Sequence, residues 1–311
     1  MKKVACLVCY VLIAAFVSVR ADSAFAAAIA PGRSLRSPYE GMVLRAISDT
    51  GSFDVSPGRA SILGGIVPHH DLALGMIVRF YRQLANNTPD GGVRRVWLFA
   101  PDHFRQARRW VAVCPSDWEF RHLAPRAILA DKAAVSSLEE SRIVEANSEL
   151  FASEHGITLH IPLVAHFFPD ATVVPVVFRP DAPDMALLMF RNRVLRLAKD
   201  GDLVILSMDL SHYKPPETMA LEDERTLGTL LGIRPSAVAA IDVDARRAAA
   251  FVLMLFRDMG ASRGELLEHT DSSALLGRRV EFGTSYATIV YRRETPEDAT
   301  CPSVPSRSCW H

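Results

Sequence analysis

Residues 62–70 read Ile62-Leu63-Gly64-Gly65-Ile66-Val67-Pro68-His69-His70, a short apolar run that stops at a proline and two histidines. A run of this length, bounded by a turn residue, reads as a buried strand. The same figure recurs twice: Arg95 to Ala100 leads into Pro101-Asp102-His103, and Leu203 to Met208 leads into Asp209-Leu210-Ser211-His212. Further strands are expected at Trp110 to Val113, Thr172 to Phe178 and Thr284 to Tyr291. Between them, helical periodicity predicts helices at Leu72 to Leu84, Asp131 to Glu145, Leu159 to Phe168, Met185 to Ala198, Glu217 to Leu231 and Asp244 to Met259. Strands that alternate with helices predict an α/β fold, a single domain with a central mixed or mostly parallel sheet flanked by helices. In such sheets the ligand crevice lies beyond the C-terminal ends of the strands. Three strand ends that each deliver a histidine therefore point to one crevice.

The chain has 311 residues, 49% of them hydrophobic and 23% charged, which is ample apolar material for a core. Its 35 basic and 35 acidic residues give a net charge of +0, and clusters such as Arg105, Arg108 and Arg109 are short. No basic field for nucleic acid is present. The expected partner is a small molecule.

At the start, Lys2 and Lys3 precede the apolar run Val4 to Val19, followed by small residues through Ala24-Phe25-Ala26. This arrangement predicts a signal peptide over residues 1–26, cleaved after Ala26, and an exported protein with no membrane span once the signal is gone. The other reading of the run is an uncleaved anchor helix. Residues 27–59, rich in Pro, Gly and Ser, read as an irregular lead, residues 60–295 as the α/β domain and 296–311 as a tail. Of the 5 cysteines, Cys6 and Cys9 fall in the signal. In an oxidising compartment Cys301 and Cys309 can close a small loop, leaving Cys114 as a buried free thiol.

Imidazole is a ligand for Zn, Cu and Fe and also exchanges protons near neutral pH. A histidine cluster in one crevice therefore implies metal binding, acid/base work, or both. No H-E-x-x-H, P-loop, G-x-G-x-x-G or G-x-S-x-G motif occurs, which argues against zincin, nucleotide-binding and α/β-hydrolase chemistry. What remains is a metal site assembled by the fold from separate elements.

Five blocks in order carry a resemblance. They are Gly65-Ile66-Val67-Pro68-His69, Ala100-Pro101-Asp102-His103, Ser153-Glu154-His155-Gly156-Ile157-Thr158-Leu159-His160-Ile161-Pro162, Leu206-Ser207-Met208-Asp209-Leu210-Ser211-His212-Tyr213 and Ser285-Tyr286-Ala287. Together they resemble the Memo family, whose bacterial members are often labelled AmmeMemoRadiSam system protein B. The resemblance implies a fold similar to class III extradiol ring-cleavage dioxygenases and a metal site built on His69, His103 and His212. In that family a cysteine near the segment Glu268-His269-Thr270-Asp271-Ser272-Ser273-Ala274-Leu275 completes the metal set. Here the segment has no cysteine, and Glu268, His269 and Asp271 are its other donors. The second block, usually Gly-Pro-Ser-His in the family, is Ala-Pro-Asp-His here, and most relatives are cytosolic.

The resulting expectation is a divalent ion, Fe or Cu before Zn, on His69, His103 and His212. Asp209 serves as an orienting or catalytic partner. His155 lies just before a helix, whose N-terminus lowers its pKa, and it is expected as the general base. In the alternative division His212 is the acid/base group and Asp271 or Glu268 binds the ion. Glu154 reads equally as the cap of the following helix or as a catalytic carboxylate. His70, His122, His160, His166 and His311 read as neighbours or surface residues. The function implied is a metal-dependent oxidoreductase resembling a dioxygenase. The alternatives are a non-catalytic metal or small-ligand binding protein and a metal-dependent hydrolase.

Overall fold

The computed structural model describes residues 34–51, 61–88 and 92–293. In chain order the strands are β1 (Ile62–Val67), β2 (Arg95–Pro101), β3 (Val111–Val113), β4 (Trp118–Glu119), β5 (Ala127–Ile128), β6 (Val144–Ala146), β7 (Thr172–Phe178), β8 (Asp202–Ser207), β9 (His212–Lys214), β10 (Gly264–Asp271) and β11 (Gly283–Arg292). The helices are α1 (Glu40–Asp49), α2 (Leu74–Asn86), α3 (Lys132–Glu139), α4 (Ser148–Ser153), α5 (His155–Thr158), α6 (Ile161–Phe167), α7 (Asp184–Leu197), α8 (Pro216–Leu231), α9 (Arg246–Asp258) and α10 (Ser272–Leu276).

One mixed sheet of order β10-β11-β1-β8-β2-β7-β3-β6 organises the molecule, with β9 paired to β11. Its centre, β1-β8-β2-β7, is parallel. β11 runs antiparallel to β1, β9 and β10, and β3 runs antiparallel to β7. The central strands are buried along their whole length, which is why they read as unbroken apolar runs. Their side chains alternate between two cores, as a period of two demands. Val96, Leu98, Ala100, Leu203 and Ile205 pack under α2 and α6, while Trp97, Phe99, Val204 and Leu206 pack under α7 and α9. On α2 the buried residues Ile77, Phe80, Tyr81 and Leu84 recur at helical spacing, so one stripe faces the sheet.

β1 approaches β8 closely. Gly64 has φ +142, and a Cβ built there would lie 1.8 Å from the Val204 carbonyl oxygen. Only glycine fits that backbone at that distance.

Three expectations need correction. Residues 27–59 are not irregular throughout: Glu40–Asp49 is helical, and Val43 is fully buried against the layer containing α2 and α6. The expected helix Asp131 to Glu145 ends at Glu139, and Val144–Ala146 is an edge strand paired to β3. Asp131 caps α3 by accepting from the Ala134 amide, so its start was signalled, whereas a three-residue edge strand is too short to show a period. β10 was missed because it is an edge strand with mixed, half-exposed side chains and no apolar run.

Cys114 is buried and free, and burial pushes its thiol up to about 12. Among the described residues no helix is long and apolar enough to cross a membrane. The expected signal segment, residues 1–26, and the Cys301–Cys309 loop lie outside the described residues.

Candidate metal centre

Each strand-end histidine is fixed by a partner on one ring nitrogen. His69, just past β1, has Nδ1 2.9 Å from Ser207 Oγ, and its backbone N–H donates to Asp209 Oδ1 at 3.0 Å. His103, just past β2, donates Nδ1–H to Glu154 Oε1 at 2.6 Å and its backbone N–H to Glu154 Oε2 at 3.0 Å. His212, the first residue of β9, is held through Nδ1 by the Leu210 carbonyl at 2.8 Å. Tying Nδ1 in this way sets the ring orientation and leaves Nε2 as the atom presented to the crevice.

The Nε2 atoms of His69 and His103 converge on a residue that the sequence reading did not assign to the site. Asp244 Oδ2 lies 2.9 Å from His69 Nε2 and 3.5 Å from His103 Nε2. Asp244 Oδ1 accepts the Asp209 backbone N–H at 3.2 Å. An acidic residue at the start of a predicted helix reads as a cap, but α9 begins at Arg246 with no side-chain cap. The absence of that role is visible only once the helix boundary is known. Oδ2 is buried and makes no well-directed hydrogen bond despite its short contacts.

His155 joins this cluster from the first turn of α5. Its ring stacks on His103 at 4.0 Å between centroids and meets the His69 ring edge-on at 5.1 Å. Ligand atoms of His69, His103 and His155 all lie within 4.8 Å of one another, and so do those of His69, Asp209 and Asp244. His212 enters neither group; its Nε2 stands 3.7 Å from Asp209 Oδ2. The sequence-stated trio of His69, His103 and His212 is thus brought together only in part, with Asp209 between His212 and the rest. Phe104, half-exposed, lies 5.9 Å from His155 on the open side.

The charges follow from this packing. Burial opposes a charged His103, yet the Asp244 and Glu154 carboxylates outweigh it and push the ring up to about 10. Burial is likewise outweighed at His69 by Asp209 and Asp244, which raise it. Asp244 is lowered, since the two imidazoles more than offset its burial. Asp209 is raised, chiefly by burial, with the Asp244 charge adding to it. His155 drops to about 3 because of burial and then the neighbouring His69 and His103. It is a neutral imidazole beside the cationic His103 ring.

The expected replacements for the family cysteine do not reach this centre. Glu268 pairs with Arg79, with Nε–Oε1 at 2.8 Å. His269 Nε2 lies 2.9 Å from Asp223 Oδ2, and Asp271 caps α10 by accepting from Ser273 and Ala274 amides. The carboxylate beside the His69 and His103 rings is that of Asp244. Of its two readings Glu154 meets the cap, accepting the Gly156 amide at the start of α5, and it holds His103 as well. His160 is fully buried, with Nδ1 3.1 Å from Tyr81 Oη, whereas His70, His122 and His166 are exposed.

A family model described as Memo-like protein matches residues 45–290, well over half of the chain. The chain belongs to the Memo-like family. Among curated proteins it is similar to a MEMO1 family protein of Ignicoccus hospitalis, 26% identical over 251 residues, covering 76% of this chain and 86% of the relative. A MEMO1 family protein of Nitrosopumilus maritimus is 21% identical over 207 residues, covering 63% and 72%. One of Pyrobaculum arsenaticum is 23% identical over 242 residues, covering 74% and 84%. An uncharacterized protein of Escherichia coli K12 with a crystal structure aligns at a TM-score of 0.42 and 13% identity, over 69% of this chain and 91% of its own. In this Memo-like chain the described donors that converge are two imidazoles backed by Ser207 and Glu154, the carboxylates of Asp209 and Asp244, and a neutral third imidazole.

Proposed function

We propose that this Memo-like protein binds one divalent transition-metal ion through His69 Nε2, His103 Nε2 and Asp244, and works on a small oxygenated molecule as a metal-dependent oxidoreductase. The observation that carries this reading is Asp244 Oδ2, a buried carboxylate oxygen aimed between two imidazoles without a well-directed hydrogen bond. That oxygen and the two ring nitrogens stand close enough to share one ion once the ring protons are displaced. Two histidines and one carboxylate with open positions are the donor set of non-haem Fe(II) sites, so Fe is favoured over Cu, which suits a softer thiolate. When bound, the ion supplies Lewis acidity and electron transfer at the oxygen atoms of the ligand.

The protein's own contribution is orientation and proton handling. Ser207 and Glu154 hold the two ligand rings with Nε2 forward. His155, neutral and partly exposed, is placed to accept a proton from a molecule entering beside Phe104. His212, tied at Nδ1 and close to Asp209, is a second group able to move a proton. Zinc suits the same donors, and with zinc the centre becomes a hydrolytic one that activates water. A protein that binds metal or ligand without turnover would keep the same centre.

Metal analysis of protein purified without chelators separates these readings. About one iron or copper per chain, lost in His69→Ala and Asp244→Ala, supports the proposal. Zinc at that level favours hydrolysis, and unchanged metal content in both variants overturns the site. Export from the cytosol, read from Lys2-Lys3 and Ala24-Phe25-Ala26, belongs to the same proposal, and an extracytoplasmic chain beginning near Ala27 is the expected result.

A further inference from the structure

His269 faces away from the metal centre and onto a buried carboxylate. Asp223, on α8, is 1% exposed, and its Oδ2 lies 2.9 Å from His269 Nε2 on β10. Its Oδ1 accepts the hydroxyl of Ser211 at 3.0 Å and that of Ser285, on β11, at 2.9 Å. Three parts of the chain therefore meet on one carboxylate, and in a low-dielectric interior such a network fixes its members firmly.

Ser211 sits between His212 and Leu210, whose carbonyl contacts the His212 Nδ1. Two positions earlier, Asp209 contacts both the His69 amide and Asp244. Backbone bonds already join this turn to β11, from Leu210 N–H to the Ser285 carbonyl and from Ser285 N–H to the Ser211 carbonyl, each at 3.0 Å. The Ser211 hydroxyl adds the link to α8. The residue before Asp223 on that helix, Glu222, pairs with Lys214 at the other end of β9, and Lys214 also lies 2.9 Å from Asp242, two residues before Asp244. Helix α8 thus grips β9 at both ends.

We propose that Asp223 is a positioning residue for the Asp209–His212 turn: through the Ser211 hydroxyl it sets where the His212 ring and the Asp209 carboxylate stand, and His269 is its counter-group from β10. The effect on metal binding rests on the reading above. The placement of the turn does not, so it is measured in metal-free protein.

The test compares Ser211→Ala, Ser285→Ala, Asp223→Ala and Asp223→Asn by the ring ¹⁵N signals of His212 without metal and by Co(II) titration. Ser211→Ala and Asp223→Ala are expected to move the His212 signals and weaken Co(II) binding about 10- to 100-fold, the range for orienting partners. Asp223→Asn keeps an acceptor for both hydroxyls and is expected to restore the signals. Ser285→Ala removes the same kind of bond from the same carboxylate while keeping the backbone bonds between Ser285 and the turn, and is expected to leave the signals in place. Unmoved His212 signals in Ser211→Ala and Asp223→Ala would overturn the proposal, as would equal shifts in Ser211→Ala and Ser285→Ala. If the wild type takes up no Co(II), the metal reading fails, while the His212 signals still decide this one.

Discussion

Glu154 holds His103 at two points, taking the backbone N–H on Oε2 at 3.0 Å and the ring Nδ1–H on Oε1 at 2.6 Å. One fully buried carboxylate thus fixes both where the residue sits and which way its ring turns. Glu154→Gln keeps the size and loses the charge, leaving an amide where one of these donors needs an acceptor. Metal affinity is expected to fall about 10- to 100-fold, measured by Co(II) titration. Wild-type affinity in this variant would show that the ring does not depend on the carboxylate.

Metal loading is expected to expel protons. Without an ion, His103 is raised to about 10 by the Asp244 and Glu154 carboxylates, so its ring carries a proton at neutral pH, and His69 is shifted in the same direction. A divalent ion binds neutral imidazoles, so at least one proton leaves per ion and affinity climbs as pH rises toward about 10. Calorimetry of Zn(II) binding in two buffers of different ionisation enthalpy counts the protons. A count of zero would mean that the ion does not displace them.

His160 gives the opposite sign in folding. Burial lowers it to about 3, below its ordinary value of 6.5, so the folded protein needs it uncharged. Its contribution to stability is complete above pH 6.5 and is lost as pH falls toward 3, because the unfolded chain then binds one more proton. Denaturant unfolding of metal-free protein should weaken by about 1.4 kcal/mol per pH unit more steeply in the wild type than in His160→Gln across that window. Parallel slopes would mean that the imidazole is protonated in the fold.

Gly64→Ala should be among the most damaging single-methyl additions in the sheet. The new carbon would fall 1.8 Å from the Val204 carbonyl oxygen at a φ of +142. A loss of about 2 kcal/mol or more, or failure to fold, is expected by chemical denaturation. Stability within 0.5 kcal/mol of wild type would show that β1 and β8 can part, at least by the size of that methyl.

The centre of the sheet was legible because β1, β2, β7 and β8 are buried on both faces, and each therefore reads as a continuous apolar run. Their ends carried His69 and His103 into view for the same reason. Edge strands β6, β9 and β10 gave no such run. Asp244 escaped because its role depends on a contact across 175 residues of chain and on what it does not do locally: it sits where a cap belongs and caps nothing. His155 and Glu154 were visible as a pair in one short segment, but only the fold shows that one stacks on His103 while the other holds it.

The donors of the centre are scattered from His69 to Asp244, on loops that meet only when β1, β2 and β8 are aligned and α9 is docked behind them. An unfolded chain offers an incoming ion no more than isolated imidazoles and carboxylates. With the proposed ion, the choice of metal would therefore be made at the moment and in the place where this chain folds. A chain that crosses a membrane before folding would sample the ions on the far side, whatever the supply where it was synthesised.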